Sequence, residues 1–191
     1  MKLKFIPVFI SILLVFAVIP SVSAHENVDY EFLIGTGFLE QFGKVISMAP
    51  NGDTIELLGS GMLSIKPKKI SGNGTVIHRD KNNNTIGTGV WHAVKLISFK
   101  PYGSGSEQGL PEEFEGGRAL IKVRILATSG PDAGQSFDGT MRIDCTLGDK
   151  IPKKAMEGIR LAIRSAKLNF NKEVSGATLF IRKTNHDEEG E

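Results

Sequence analysis

Residues 137–147 have the sequence Phe-Asp-Gly-Thr-Met-Arg-Ile-Asp-Cys-Thr-Leu, and this stretch decides the fold class. Apolar or small residues occupy its odd positions, and polar or charged residues occupy its even positions. A period of two is typical of a β-strand with one face in a core and the other in water. The charged stripe of Asp138, Arg142 and Asp144 is accordingly predicted to face solvent.

The same alternation recurs at 119–127 and, less regularly, at 55–65. Other segments rich in β-branched and aromatic residues predict strands at 44–48, 70–79, 85–99 and 174–182. Turn signals separate them, including Asn51-Gly52, which is typical of a type I′ hairpin turn. Glycines inside the strands suit a sheet that coils sharply. We therefore predict an all-β, mainly antiparallel fold of about eight strands, as a small barrel first and a sandwich second.

One segment fits two structures. Between 154 and 168, Met156, Ile159 and Ile163 have helical spacing, whereas Ile159, Leu161 and Ile163 alternate as in a strand. The β-branched isoleucines and Gly158 favour a strand from Glu157 to Arg164. A short helix near 154–168 that plugs one end of the barrel is the alternative.

The two ends of the chain are predicted to lie outside the folded domain. Two lysines, an uncharged apolar run at 5–19 and small residues before Ala24 predict a signal peptide at 1–24. The run is shorter than the ~20 residues that span a bilayer, so we expect a secreted or extracytoplasmic protein without a membrane span after cleavage. A flexible N-terminal end at 25–30, a single domain at 31–182 and an acidic, disordered tail at 183–191 then follow.

The charge balance argues against a polyanionic partner. The chain has 23 Lys and Arg against 21 Asp and Glu, and two of the lysines lie in the predicted signal peptide. The remainder is formally neutral, so its charge predicts no nucleic-acid partner. The single cysteine, Cys145, excludes an intrachain disulfide and is interpreted as a small core residue.

Four apolar side chains are the candidate ligand contacts. Residues 100–117 have the composition of a long loop, and such loops often cover a binding site. Tyr102, Leu110 and Phe114 of this loop could close over a ligand, and Trp91 could line a barrel interior. The alternatives are that the loop packs flat and that Trp91 is a core anchor. The leading prediction is a secreted, non-enzymatic β-barrel module that binds a small apolar ligand or a surface partner.

Two other functions stay open. Cleavage after Ala24 makes His25 the new N-terminus, and its amine and imidazole can chelate copper. With a second histidine such as His92, this site would resemble that of lytic polysaccharide monooxygenases and periplasmic copper carriers, which implies a copper protein or enzyme. A structural module of the cell envelope is the third hypothesis. No nucleophile, acid–base or nucleotide motif is evident, so no catalytic residue is predicted and the assignment leans away from an enzyme.

Overall fold

The computed structural model describes residues 28–183, which form eleven strands and two short 3₁₀ turns, at Gly37–Phe42 and Gly105–Gln108. The strands are β1 (Asp29–Ile34), β2 (Val45–Met48), β3 (Thr54–Ser64), β4 (Lys69–Arg79), β5 (Thr85–Ser104), β6 (Phe114–Ser129), β7 (Ser136–Cys145), β8 (Gly158–Ile163), β9 (Leu168–Phe170), β10 (Lys172–Ser175) and β11 (Thr178–Lys183). No helix in this part of the chain is long and apolar enough to cross a membrane.

The period-two pattern predicts the central strands correctly. Strands β6 and β7 pair antiparallel, with Ile121 opposite Met141 and Ala119 opposite Ile143. These four side chains are completely buried, as the alternation requires. The all-β, antiparallel class is therefore confirmed.

The structure has eleven strands where the sequence predicts about eight. The additional strands are β1, β9 and β10. Strand β1 buries Tyr30, Phe32 and Ile34 on one face and Leu33 on the other, which removes the alternation that would identify it. Strands β9 and β10 have only three and four residues, too few for a periodic signal. The predicted flexible end at 25–30 overlaps β1 at Asp29 and Tyr30, which pair with Lys183 and Arg182, and 25–27 lie outside the described residues.

Two other predictions need correction. Residues 100–104 continue β5 and 114–117 begin β6, so the predicted loop at 100–117 shrinks to 105–113. Its Gly and Pro residues are accommodated by a register shift between Pro101 and Gly103. Within 154–168 the favoured strand is confirmed as β8, followed by a turn, and the alternative helix is not formed. At the first hairpin only Gly52 has a positive φ, so the turn that contains Asn51 is not type I′.

The strand pairings return on themselves. Strand β3 pairs with β4, and the path continues through β5, β6, β11 and β1 back to β3. A second path of strand pairings connects β2 with β8 by way of β3, β4, β5, β6 and β7. Strand β9 pairs with β8 and β10 pairs with β2, and only Asn171 separates β9 from β10. The Ser47 hydroxyl of β2 also donates a hydrogen bond to the Ile159 carbonyl of β8.

Two aromatic rings fill the middle of the interior by lying directly on glycine backbone. An ideal Cβ at Gly74 would lie 2.6 Å from Trp91 Nε1, and one at Gly61 would lie 2.7 Å from Phe32 Cζ. Both aromatic side chains are completely buried. The strand glycines therefore leave room for the rings in addition to allowing the sheet to coil.

Candidate functional site

An apolar cleft lies where three hairpin ends meet. The β4–β5, β6–β7 and β8–β9 turns surround it, and the first residues of β3 complete its wall. Its inner surface consists of side chains on the core-facing side of these strands, among them Ile55, Val76, Ile125, Ile163 and Phe170. The cleft is therefore an open end of the core, built by the same alternation that builds the sheet.

Two glycines of β5 keep this end open. Gly87 and Gly89 line the cleft, opposite His78 and Val76 of β4. A Cβ at Gly89 would lie 3.3 Å from Val76 Cγ1 and 2.6 Å from the Leu126 carbonyl oxygen. Two successive core-facing positions of β5 therefore add no side chain to the cleft, whose β5 wall is otherwise formed by Ile86 and Thr88.

The volume of the cleft is about 100 Å³. An apolar protein cavity of about 150 Å³ binds benzene, so this cleft suits a single ring or a short aliphatic group. A complete drug-sized molecule needs a pocket of at least about 300 Å³. The cleft can therefore hold one apolar group and leave the rest of a larger ligand in solvent.

His78 is one of the polar residues at the wall of the cleft, with Thr88, Ser129 and Asp132. The Nε2 of His78 lies 3.5 Å from Asp53 Oδ2 and makes no hydrogen bond within residues 28–183. Its ring meets Phe170 edge-on, with 5.4 Å between the ring centroids. Asp53 also accepts a hydrogen bond of 2.8 Å from Asn51 Nδ2, which fixes the carboxylate. Because Nε2 is itself buried, this atom is not exposed to a bound molecule, and the ring serves as part of the cleft wall.

Trp91 and Tyr102, two of the predicted ligand contacts, are enclosed by protein. Trp91 donates a hydrogen bond of 3.1 Å from Nε1 to the Leu58 carbonyl. The Tyr102 hydroxyl donates a hydrogen bond of 3.0 Å to Asp144 Oδ1, and burial together with this carboxylate raises the pKa of Tyr102 to about 12. Neither residue lines the cleft.

Asp144 is buried, although the sequence places it on a solvent-facing stripe. Its side chain is 1% exposed because Tyr102, Arg118 and Arg142 cover it. Arg118 Nε donates to Asp144 Oδ1 at 2.6 Å, and Arg142 Nε lies 2.5 Å from Oδ2. Two guanidinium groups compensate for the desolvation of this one carboxylate.

Leu110 and Phe114 are the other two predicted contacts: Leu110 lies in the 105–113 loop, and Phe114 directly follows it as the first residue of β6. Phe114 stacks on Phe38 with 5.5 Å between ring centroids and 8° between the ring planes. Leu110 is partly exposed and packs beside Gly105. The structure therefore places these two side chains at a common surface, apart from Trp91, and neither lines the cleft.

The predicted copper ligands are not brought together within the described residues. His25 lies outside them, and His92 is exposed on the outer face of β5, opposite Asn73 and Arg124. Residues 28–183 hold no group of three or more His, Cys, Asp or Glu side chains placed to bind a metal ion. His78 and His92 also lie far apart along their strands, since His78 pairs with Gly87 and His92 pairs with Asn73.

Cys145 is buried on the core side of β7. Burial raises the pKa of its thiol, and the nearby Glu157 carboxylate adds to the effect. The thiol is therefore protonated at neutral pH and has the environment of a core residue.

Sequence reasoning missed the cleft itself. The sequence analysis assigns no role to His78, yet this residue follows Val76 on the core-facing side of β4. The sequence signal for the cleft is that the next strand carries two glycines at alternate positions, Gly87 and Gly89, which can pair with this face of β4.

The chain matches no protein-family model, no curated protein and no solved structure.

Proposed function

We propose that this protein is a secreted or extracytoplasmic, non-enzymatic β-barrel module that binds a small apolar group in the cleft beside His78. The observation that carries the proposal is the open, apolar end of the core, which Gly87 and Gly89 leave without side chains. Exposing apolar surface in this way costs free energy that a bound apolar group would recover.

The closed pairing path through β3, β4, β5, β6, β11 and β1 supports the barrel. A single antiparallel sheet whose pairings return on themselves encloses one interior, as a barrel does. The segment at 168–175 connects β8 to β2 and gives the second path eight strand positions. In this interpretation Trp91 and Phe32 fill the middle of the barrel, so the ligand enters only at its end.

The extracytoplasmic location rests on the sequence of residues 1–24. Export from the cell with cleavage after Ala24 would make His25 the first residue of the mature protein. Mass spectrometry of the protein recovered outside the cytoplasm tests this directly. Recovery of the protein only from the cytoplasm, with an intact mass that retains residues 1–24, would overturn the location without affecting the cleft.

Binding is best tested with probes of the size of the cleft. Benzene, toluene and 1-butanol are added to purified protein with labelled isoleucine methyl groups, and NMR records the shifts. We expect Ile55, Ile125 and Ile163 to shift, with dissociation constants of about 0.1–1 mM. Ile151 and Ile181, which do not line the cleft, should stay unchanged.

A variant whose cleft is filled by a larger side chain is the control for this binding experiment. Ala127 lines the cleft, so Ala127→Trp places a large ring in it and should weaken binding at least tenfold. Val94→Trp puts the same ring on a side chain that is 55% exposed and should leave binding unchanged. No methyl shifts with any probe, or equal shifts in both folded variants, would overturn the proposal.

A further inference from the structure

A groove on the outer face of β6, β7 and β8 is lined by polar and charged residues, whereas the cleft is mainly apolar. Its volume is about 530 Å³. Lys122, Arg124 and Arg164 border it, and Thr140 and Ala162 lie at its centre. The hydroxyls of Ser136 and Ser165 also line it.

The strand register produces this arrangement. Thr140 of β7 lies opposite Lys122 of β6 on one side and opposite Ala162 of β8 on the other. Side chains two positions away along each strand share the same face, which brings in the outward-facing Arg124, Asp138, Arg142, Arg160 and Arg164. The small Ala162 side chain leaves a depression among these longer ones.

The carboxylates of this face do not balance its cations. Arg124 pairs with Asp138 at 3.0 Å. Arg142 and Arg160, which lie directly opposite each other, share one carboxylate oxygen of Glu173 at 2.8 and 2.6 Å. Like charges facing each other across strands are destabilising, and Glu173, together with Asp144 Oδ2 at 2.5 Å from Arg142 Nε, offsets this repulsion.

Lys122 and Arg164 are the cations available to a ligand. Lys122 Nζ donates a hydrogen bond of 3.1 Å to Thr140 Oγ1 and has no carboxylate at ion-pair distance within 28–183. Arg164 is exposed and likewise forms no ion pair with another described residue. Both side chains line the groove with Ala162: Lys122 belongs to β6, and Arg164 lies in the turn that directly follows β8.

We propose that this groove binds an acidic oligosaccharide through its carboxylate or sulfate groups. Cations two positions apart on one strand are separated by about 6.6 Å, so a single inorganic anion cannot satisfy the whole set. A chain of charged sugars presents oxyanions at several points, and its hydroxyls match Ser136, Thr140 and Ser165. The groove lining includes no aromatic side chain for stacking bases, which argues against single-stranded nucleic acid.

The test measures binding of four probes to the purified protein by calorimetry. Heparin hexasaccharide supplies sulfates, oligogalacturonate of six units supplies carboxylates, maltohexaose is the neutral comparison, and sodium phosphate is the free anion. We expect at least one charged hexasaccharide to bind tenfold or more tightly than maltohexaose and phosphate. Its affinity should fall when NaCl rises from 50 to 200 mM.

Two double variants with equal charge change locate the site. Lys122→Gln with Arg164→Gln should weaken hexasaccharide binding at least tenfold. Lys153→Gln with Lys154→Gln, at exposed positions outside the groove, should change it less than twofold. Far-UV circular dichroism confirms that both variants fold.

Three outcomes would overturn the inference: equal loss of affinity in both variants, equal binding of maltohexaose, or no hexasaccharide binding at 50 mM NaCl. Displacement of the bound hexasaccharide by a single-stranded DNA of equal charge at equal concentration would do the same. Binding of apolar probes to the cleft should be the same in both variants, so this inference and the proposed function fail separately.

Discussion

Replacing Trp91 with alanine should be among the most destabilising single substitutions in this protein. The side chain is completely buried, lies against the backbone of Gly59 and Gly74, and donates a hydrogen bond to the Leu58 carbonyl. Gly59 and Gly74 have no side chains that could repack into the cavity left by the indole ring. A Trp→Ala cavity costs about 3–5 kcal/mol, and losing a hydrogen bond costs about 1 kcal/mol.

We therefore expect Trp91→Ala to lower the free energy of unfolding by about 4–6 kcal/mol. For a domain of this size the melting temperature should fall by roughly 8–24 °C. Because Trp91 is the only tryptophan, far-UV circular dichroism in urea replaces fluorescence as the measurement.

Val94→Ala is the matched comparison, since it also shortens a side chain of β5 but at an exposed position. It should change stability by less than about 0.5 kcal/mol. A loss below about 1.5 kcal/mol for Trp91→Ala, with an unchanged denaturant slope, would refute the packing of this ring on the glycine backbone. Trp91→Phe should leave apolar probes bound in the cleft.

Three further predictions concern buried ionisable groups. Burial raises the pKa of the Glu157 carboxyl above its ordinary value, so its contribution to stability is complete below that value and is lost as pH rises through the folded pKa. Glu157→Gln should remove this decline from a plot of unfolding free energy against pH, and an unchanged slope would contradict the reasoning. Glu173→Gln leaves Arg142 facing Arg160 and should cost about 1–2 kcal/mol in urea denaturation, an effect that 1 M NaCl should reduce. The buried Cys145 thiol, whose pKa is raised, should react with a chromogenic disulfide reagent only in denaturant, and rapid labelling of folded protein would exclude its burial.

The alternation of side chains predicts a strand only where one face is buried. It identifies β6 and β7, whose outer residues such as Lys122 and Arg124 are exposed. It misses β1, where Phe32 and Leu33 are buried on opposite faces. Composition is equally ambiguous at Pro101 and Gly103, which indicate a loop but lie in a strand that tolerates register shifts.

The sites are harder to predict because they depend on which strands pair. The cleft combines His78 of β4, Gly87 of β5 and Ile163 of β8, and no local pattern states that these strands meet. The groove requires the register that sets Thr140 opposite Ala162. The formal net charge does not reveal this groove, because a neutral total does not show that cationic side chains are concentrated on one face.

The first and last described strands pair side by side, with Asp29 opposite Lys183. Strand β3 joins this end at Ser64, whereas its Ile55 lines the cleft nine residues away, roughly 30 Å along the strand. A fusion partner or a surface linkage attached at either terminus would therefore hold the molecule at this end and leave the end with the cleft accessible. Linking the termini to each other and opening the chain at the 105–113 loop should likewise yield a circular permutant that keeps its architecture.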